Sequence, residues 1–221
     1  MVTTLAHMFA AGHPRGTPDF GRVVLLASLG GLQAITPVLA GLPATYSVPI
    51  VVMQHRRRTA DVRDPLAAIL QQRTHLPVQV AEHGGAADRA GVTVVPPQTT
   101  ATIDESGKWA LAGSTTAMRP GDALLLSSAQ TTVTIAVILT GSLADGADGC
   151  RAVKRGGGRV LVQDPATARA SGMPATAIAT GCADFVLPPD RLASALLALT
   201  TAPGAAELLT VPLPPWARLS S

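Results

Sequence analysis

The sequence predicts an α/β domain, three layers deep (α/β/α), on a doubly wound and mostly parallel sheet with a small antiparallel hairpin. Three observations predict it. Short unbroken apolar runs, RVVLLA at 22–27, PIVVMQ at 49–54 and TVTIAVIL at 132–139, read as strands buried on both faces. Segments with apolar residues at helical spacing separate them, and such alternation gives right-handed crossovers and a sheet covered on both sides. Hydrophobic residues make up 47% of the chain but aromatics only 3%, so the core is aliphatic.

The elements follow in order. Residues 1–20 mix His, Gly, Pro and Thr without periodicity and read as a flexible arm. After the strand at 22–27, residues 30–41 form a helix with Leu32, Ile35, Val38 and Leu39 on one side. The strand at 49–54 leads to a helix at 61–73, carrying Leu66, Ile69 and Leu70, and then a short strand at 78–81. Three short strands at 92–95, 101–104 and 108–111, with a hairpin turn at Glu105-Ser106-Gly107, read as an antiparallel insertion or sheet edge. The buried parallel type returns at 132–139. A helix at 146–155 then ends on Gly156-Gly157-Gly158. A strand at 159–163, a helix at 172–180, a strand at 185–187 and a helix at 189–199 complete the domain. The domain is expected over 21–201, and the Pro-rich residues 202–221 read as a tail.

Composition excludes several function classes. A net charge of +3 demands neither a nucleic-acid nor a membrane partner, and so few aromatics speak against stacking on single strands. Cys150 and Cys182 lie far apart and outside any C-x-x-C, as expected of two reduced small hydrophobes. No His, Asp and Glu grouping has metal-ligand spacing, so no metal is expected. No apolar run approaches the roughly 18 residues of a membrane span, and the first twenty residues lack a signal-peptide pattern. A cytoplasmic protein is the expectation.

Sites in open parallel sheets form beyond the carboxyl ends of strands. Three strand ends present Ser28-Leu29-Gly30-Gly31, His55, and the loop Thr140-Gly141-Ser142-Leu143-Ala144-Asp145-Gly146. Ser, His and Asp together activate a hydroxyl. The imidazole takes the serine proton, and the carboxylate fixes the tautomer and stabilises the imidazolium. Gly30 and Gly31 remove side chains beside the candidate nucleophile. Alternatives stand at each position. Ser28 could merely cap the following helix, Asp145 could cap the helix at 146–155, and His55 could be a lone polar cap. Neither GxGxxG nor GxxxxGK[ST] occurs, and the G-x-S-x-G elbow is absent. Arg56, Arg57 and Arg58 directly follow His55, where they form either a solvated loop face without a partner or a cationic rim for an acidic substrate.

Ala27-Ser28-Leu29-Gly30-Gly31, Gln54-His55, Ile138 through Gly141, Asp145-Gly146, and Gly172-Met173-Pro174 with Ala177-Ile178 resemble the signature segments of the CheB-type chemotaxis methylesterases, in order and spacing across about 22–200. The resemblance is to the catalytic domain. It implies a triad of Ser28, His55 and Asp145, no cofactor, and hydrolysis of glutamyl methyl esters on a methylated chemoreceptor-like protein, with deamidation as a companion reaction. Backbone N–H groups of Leu29 and Ser142 would hold the oxyanion, in loops shaped by Gly30, Gly31, Gly141 and Gly146. The chain departs from the family pattern at Leu29, Leu143, Ala144 and Thr100, and no receiver domain is expected before the first strand. A weakened homologue serving as an interaction module, or a small-molecule carboxylesterase, remain alternatives.

Overall fold

Alternation of side chains along each apolar run explains the layers. In β1 (Arg22–Ala27), Val23, Leu25 and Ala27 enter one core, while Val24 and Leu26 enter another on the opposite face. The structure, a computed structural model, describes residues 20–57, 64–113 and 118–202. The expected arm and tail lie almost wholly outside the described residues.

β1 is followed by α1 (Gly31–Ala40), β2 (Ile50–Gln54), α2 (Pro65–Gln71), β3 (Val78–Val80) and β4 (Val92–Val94). A hairpin of β5 (Thr99–Ile103) and β6 (Trp109–Gly113) leads into α3 (Pro120–Thr131) and β7 (Thr134–Ile138). The rest is α4 (Ala147–Arg155), β8 (Arg159–Gln163), α5 (Gly172–Ala179), β9 (Phe185–Leu187) and α6 (Pro189–Thr201). Seven strands form one sheet in the order β3-β4-β2-β1-β7-β8-β9, all pairs parallel. Helices α1, α2 and α6 contribute to one core, and α3, α4 and α5 with the hairpin to the other. The strand order reverses between β1 and β7, which opens the crevice that such sheets use for ligands.

Two expectations are corrected. Residues 92–94 belong to the main sheet, not to the antiparallel insertion: Val92, Thr93 and Val94 pair with both β2 and β3 in parallel, and all three are buried. Only β5 and β6 form the antiparallel hairpin, turning at Gly107 with φ 76. The second correction is α3, which the periodicity missed. Its apolar residues fall together at 123–126 rather than in a stripe, and Ser127 and Ser128 are buried because their hydroxyls find partners. The signal present was Pro120 at the first helical position with Asp122 in the first turn. Helix α2 begins at Pro65, capped by Asp64, whose side chain accepts from Leu66 N; residues 61–63 lie outside the described residues.

Candidate active site

Strand register brings the candidate residues to one edge. β1 pairs with β2 through Ala27 and Gln54, and the ladder continues past them as His55 N donates to Ala27 O at 2.9 Å. On the other side Ser28 N donates to Thr140 O at 2.9 Å. Ser28 therefore sits between the loop after β2 and the loop after β7.

His55 and Asp145 meet directly. His55 Nε2 lies 2.5 Å from Asp145 Oδ2; the histidine side chain is 36% exposed and the aspartate 6%. An ionised carboxylate only accepts, so Nε2 carries the proton and Nδ1 holds the lone pair. Nδ1 is then the nitrogen available as a base. Among the described residues no hydrogen bond joins Ser28 Oγ to the ring.

The capping alternatives are replaced by something more specific. The N-caps of α1 and α4 are Gly30 and Gly146, both left-handed at φ 82 and φ 94, without side-chain caps. Asp145 instead accepts from the N-terminus of α3, with Gly121 N at 2.8 Å on Oδ2 and Asp122 N at 3.0 Å on Oδ1. Burial pushes its carboxyl up, but the bonds from His55, Gly121 and Asp122 and the attraction of His55 outweigh that, and the group lies below the ordinary carboxylate value. Gly121 is required: a Cβ there would stand 2.8 Å from each Asp145 oxygen. Sequence reasoning missed Gly121 and Asp122 because it missed α3.

Gly141 makes close approach possible on the other side. A Cβ there would fall 2.1 Å from Met173 Sδ and 3.0 Å from Ser28 Cβ. Thr140, buried, ties the loops together: its N donates to Gln163 Oε1 at 2.9 Å, its hydroxyl lies 2.8 Å from Leu29 O, and Ala170 N donates to that hydroxyl at 2.9 Å. Gly141 N is committed to Ala170 O, whereas the N–H groups of Leu29 and Ser142 donate to no protein acceptor among the described residues. Leu29 and Leu143, 49% and 77% exposed, stand beside the cleft.

The three arginines separate. Arg56 turns inward, forming an ion pair with Asp64 and donating to Val95 O at 3.0 Å and to Gln54 O at 3.1 Å. It staples the residue after His55 to the cap of α2 and the end of β4, because Asp64 offers a buried carboxylate within reach; it is not a rim cation. Arg57 is exposed. Arg58 lies outside the described residues. Among the described residues no group of His, Cys, Asp and Glu could hold a metal ion, and no helix is long and apolar enough to cross a membrane.

Comparison with known proteins adds the family. The family model described as CheB methylesterase matches residues 23–196. A protein-glutamate methylesterase/protein-glutamine glutaminase of Moorella thermoacetica is 36% identical over 86% of this chain and 47% of its own length. A putative enzyme of the same description from Leptospira interrogans is 30% identical over 82% of this chain and 95% of its own. The crystal structure of the Thermotoga maritima CheB methylesterase catalytic domain superposes with a TM-score of 0.73 at 32% identity, covering 81% of this chain and 98% of that one. The chain thus spans about half the length of the Moorella relative and nearly all of the Thermotoga catalytic domain.

Proposed function

This chain belongs to the CheB methylesterase family, and from that premise we propose that it hydrolyses glutamyl γ-methyl esters on a chemoreceptor-like protein, releasing methanol, and deamidates glutamines in the same segments. The observation that carries the reading is the 2.5 Å bond from His55 to the buried Asp145, set at the strand end beside Ser28.

Ser28 Oγ attacks the ester carbonyl while His55 Nδ1 takes its proton. Asp145 holds Nε2–H and stabilises the imidazolium. The oxyanion lies toward the N–H groups of Leu29 and Ser142, donors worth about 3 kcal/mol each in comparable sites. Collapse expels methanol, which leaves with the proton from His55. A water, deprotonated by the same nitrogen, then attacks the acyl-serine; Ser28 Oγ leaves, takes that proton back from His55, and the free glutamate is released. With glutamine the leaving group is ammonia. The partner is a methylated receptor segment, helical and acidic, met in the cytoplasm.

The test incubates the purified chain with methylated receptor fragments and measures methanol. Release by the wild-type chain and none by Ser28→Ala supports the reading. Hydrolysis of small esters with no methanol from receptor fragments contradicts it and makes the chain a small-molecule carboxylesterase.

A further inference from the structure

A cavity borders the loop after Ser28 on the side away from His55. It measures about 220 Å³ and is walled by Gly30, Gln33, Thr140, Gln163, Thr167 and Arg169. At about 30 Å³ per water, that is room for roughly seven waters, or one side chain the size of a glutamate. Arg169 runs over Gly30: a Cβ on Gly30 would stand 2.7 Å from Arg169 Cβ and 3.1 Å from its Cδ. The bare glycine is what lets this arginine lie against the loop two residues beyond Ser28.

The backbone beneath Arg169 is fixed to the site. Gly141 N donates to Ala170 O at 2.9 Å, and Ala170 N donates to the Thr140 hydroxyl at 2.9 Å. The side chain itself is exposed, and among the described residues its guanidinium has no ion-pair or hydrogen-bond partner. Two other cations near the cleft are engaged. Arg56 pairs with Asp64, and Arg119 Nη1 donates to Ala144 O at 3.2 Å. Gln33, exposed on the first turn of α1, adds an amide to the same wall.

Resting on the reading of this chain as a glutamyl-ester hydrolase, we propose that Arg169 and its cavity form a cationic subsite, which takes the carboxylate of a glutamate flanking the esterified one. A guanidinium fork matches a carboxylate in two parallel bonds. A flanking glutamate docked there would lie on the β7–β8 side of the nucleophile, opposite the base. The contact is exposed, so it sets substrate choice and is screened by salt.

The test uses two helical peptides that carry a central glutamyl methyl ester and differ only in flanking residues, Glu in one and Gln in the other. Binding to the Ser28→Ala chain is measured by fluorescence anisotropy at low salt, and methanol release and KM with the active chain. The Glu-flanked peptide should bind about fivefold more tightly, the scale of an exposed ion pair. Arg169→Ala should erase that preference, Arg169→Lys should keep some of it and Arg169→Glu should invert it. In turnover the preference should appear in KM rather than kcat. Equal weakening of both peptides by Arg169→Ala, or no change in either, overturns the subsite. A preference that depends on Arg169 without methanol release would sustain the subsite and sink the esterase reading; methanol release with a preference indifferent to Arg169 would do the reverse.

Discussion

Asp145 is a buried carboxylate that stays ionised because three donors converge on it: the imidazole and two backbone N–H groups of α3. Its depressed value fixes the sign of its linkage. The stability it contributes is present above the ordinary carboxylate pKa near ~3.9 and is lost only as pH falls through its lower folded value. Arg56, the residue after His55, has a related role. Its ion pair with Asp64 is mostly buried, and removing either member strands the other. Arg56→Ala should therefore lower stability by on the order of 3 kcal/mol in denaturant unfolding. It should also reduce kcat on small neutral and receptor-derived esters alike, since the loop carrying His55 loses its staple. Arg56→Lys should recover some of both. A variant with full stability and kcat, raised in KM for acidic substrates alone, would return Arg56 to the rim.

At the scale of elements, α3 decides how well Asp145 is held. Gly121→Ala would ordinarily favour a helix, yet its Cβ would press on both Asp145 oxygens and on Leu26 Cδ1 at 2.8 Å. If Asp145 serves the proposed triad, the substitution should lower kcat by roughly ten- to hundredfold with little change in KM, because the carboxylate that orients His55 is displaced. Wild-type kcat in the Gly121→Ala variant would mean that α3 does not position the carboxylate. The same turn carries Asp122, whose Oδ1 accepts from Gly149 N at 2.9 Å and so joins α3 to α4. Burial pushes the Asp122 carboxyl up against that bond, and the charges of Asp145 and Asp148 add to the push while Arg119 opposes it. The folded state then binds this proton more tightly than the unfolded chain, so ionised Asp122 weakens the fold at neutral pH and the penalty fades as pH falls. Asp122→Asn keeps the acceptor for Gly149. Its Tm should exceed wild type near about pH 7, with the gap closing toward about pH 4. A lower Tm at both would show that the charge itself is needed there. Helix α3 also marks where sequence reading stops. Strands β1, β2 and β7 are legible because burial on both faces leaves unbroken apolar runs. The helix escapes because its polar Ser127 and Ser128 are satisfied internally, which no periodicity registers.

Over the whole molecule, the parallel sheet carries each strand's carboxyl end to one edge, and the switch point between β1 and β7 places Ser28 beside both partner loops. The strand-end positions of Ser28 and His55 are legible because each directly follows an apolar run that reads as a buried strand, and Asp145 lies in the loop after a third. The inward turn of Arg56 is not, since it depends on Asp64 and on the end of β4, whose place between β2 and β3 is set by pairings distant in sequence. Nor is the packing of Arg169 on Gly30, which needs the loops after β1 and β8 to meet. The proposed chemistry requires that this edge hold one activated serine, with His55 as its base. Labelling with a fluorophosphonate, followed by mass spectrometry of the digested chain, reads that requirement without any choice of substrate. A single adduct is expected on the peptide containing Ser28, nearly absent in His55→Ala; an adduct on another residue, or equal labelling of Ser28 without His55, would refute it.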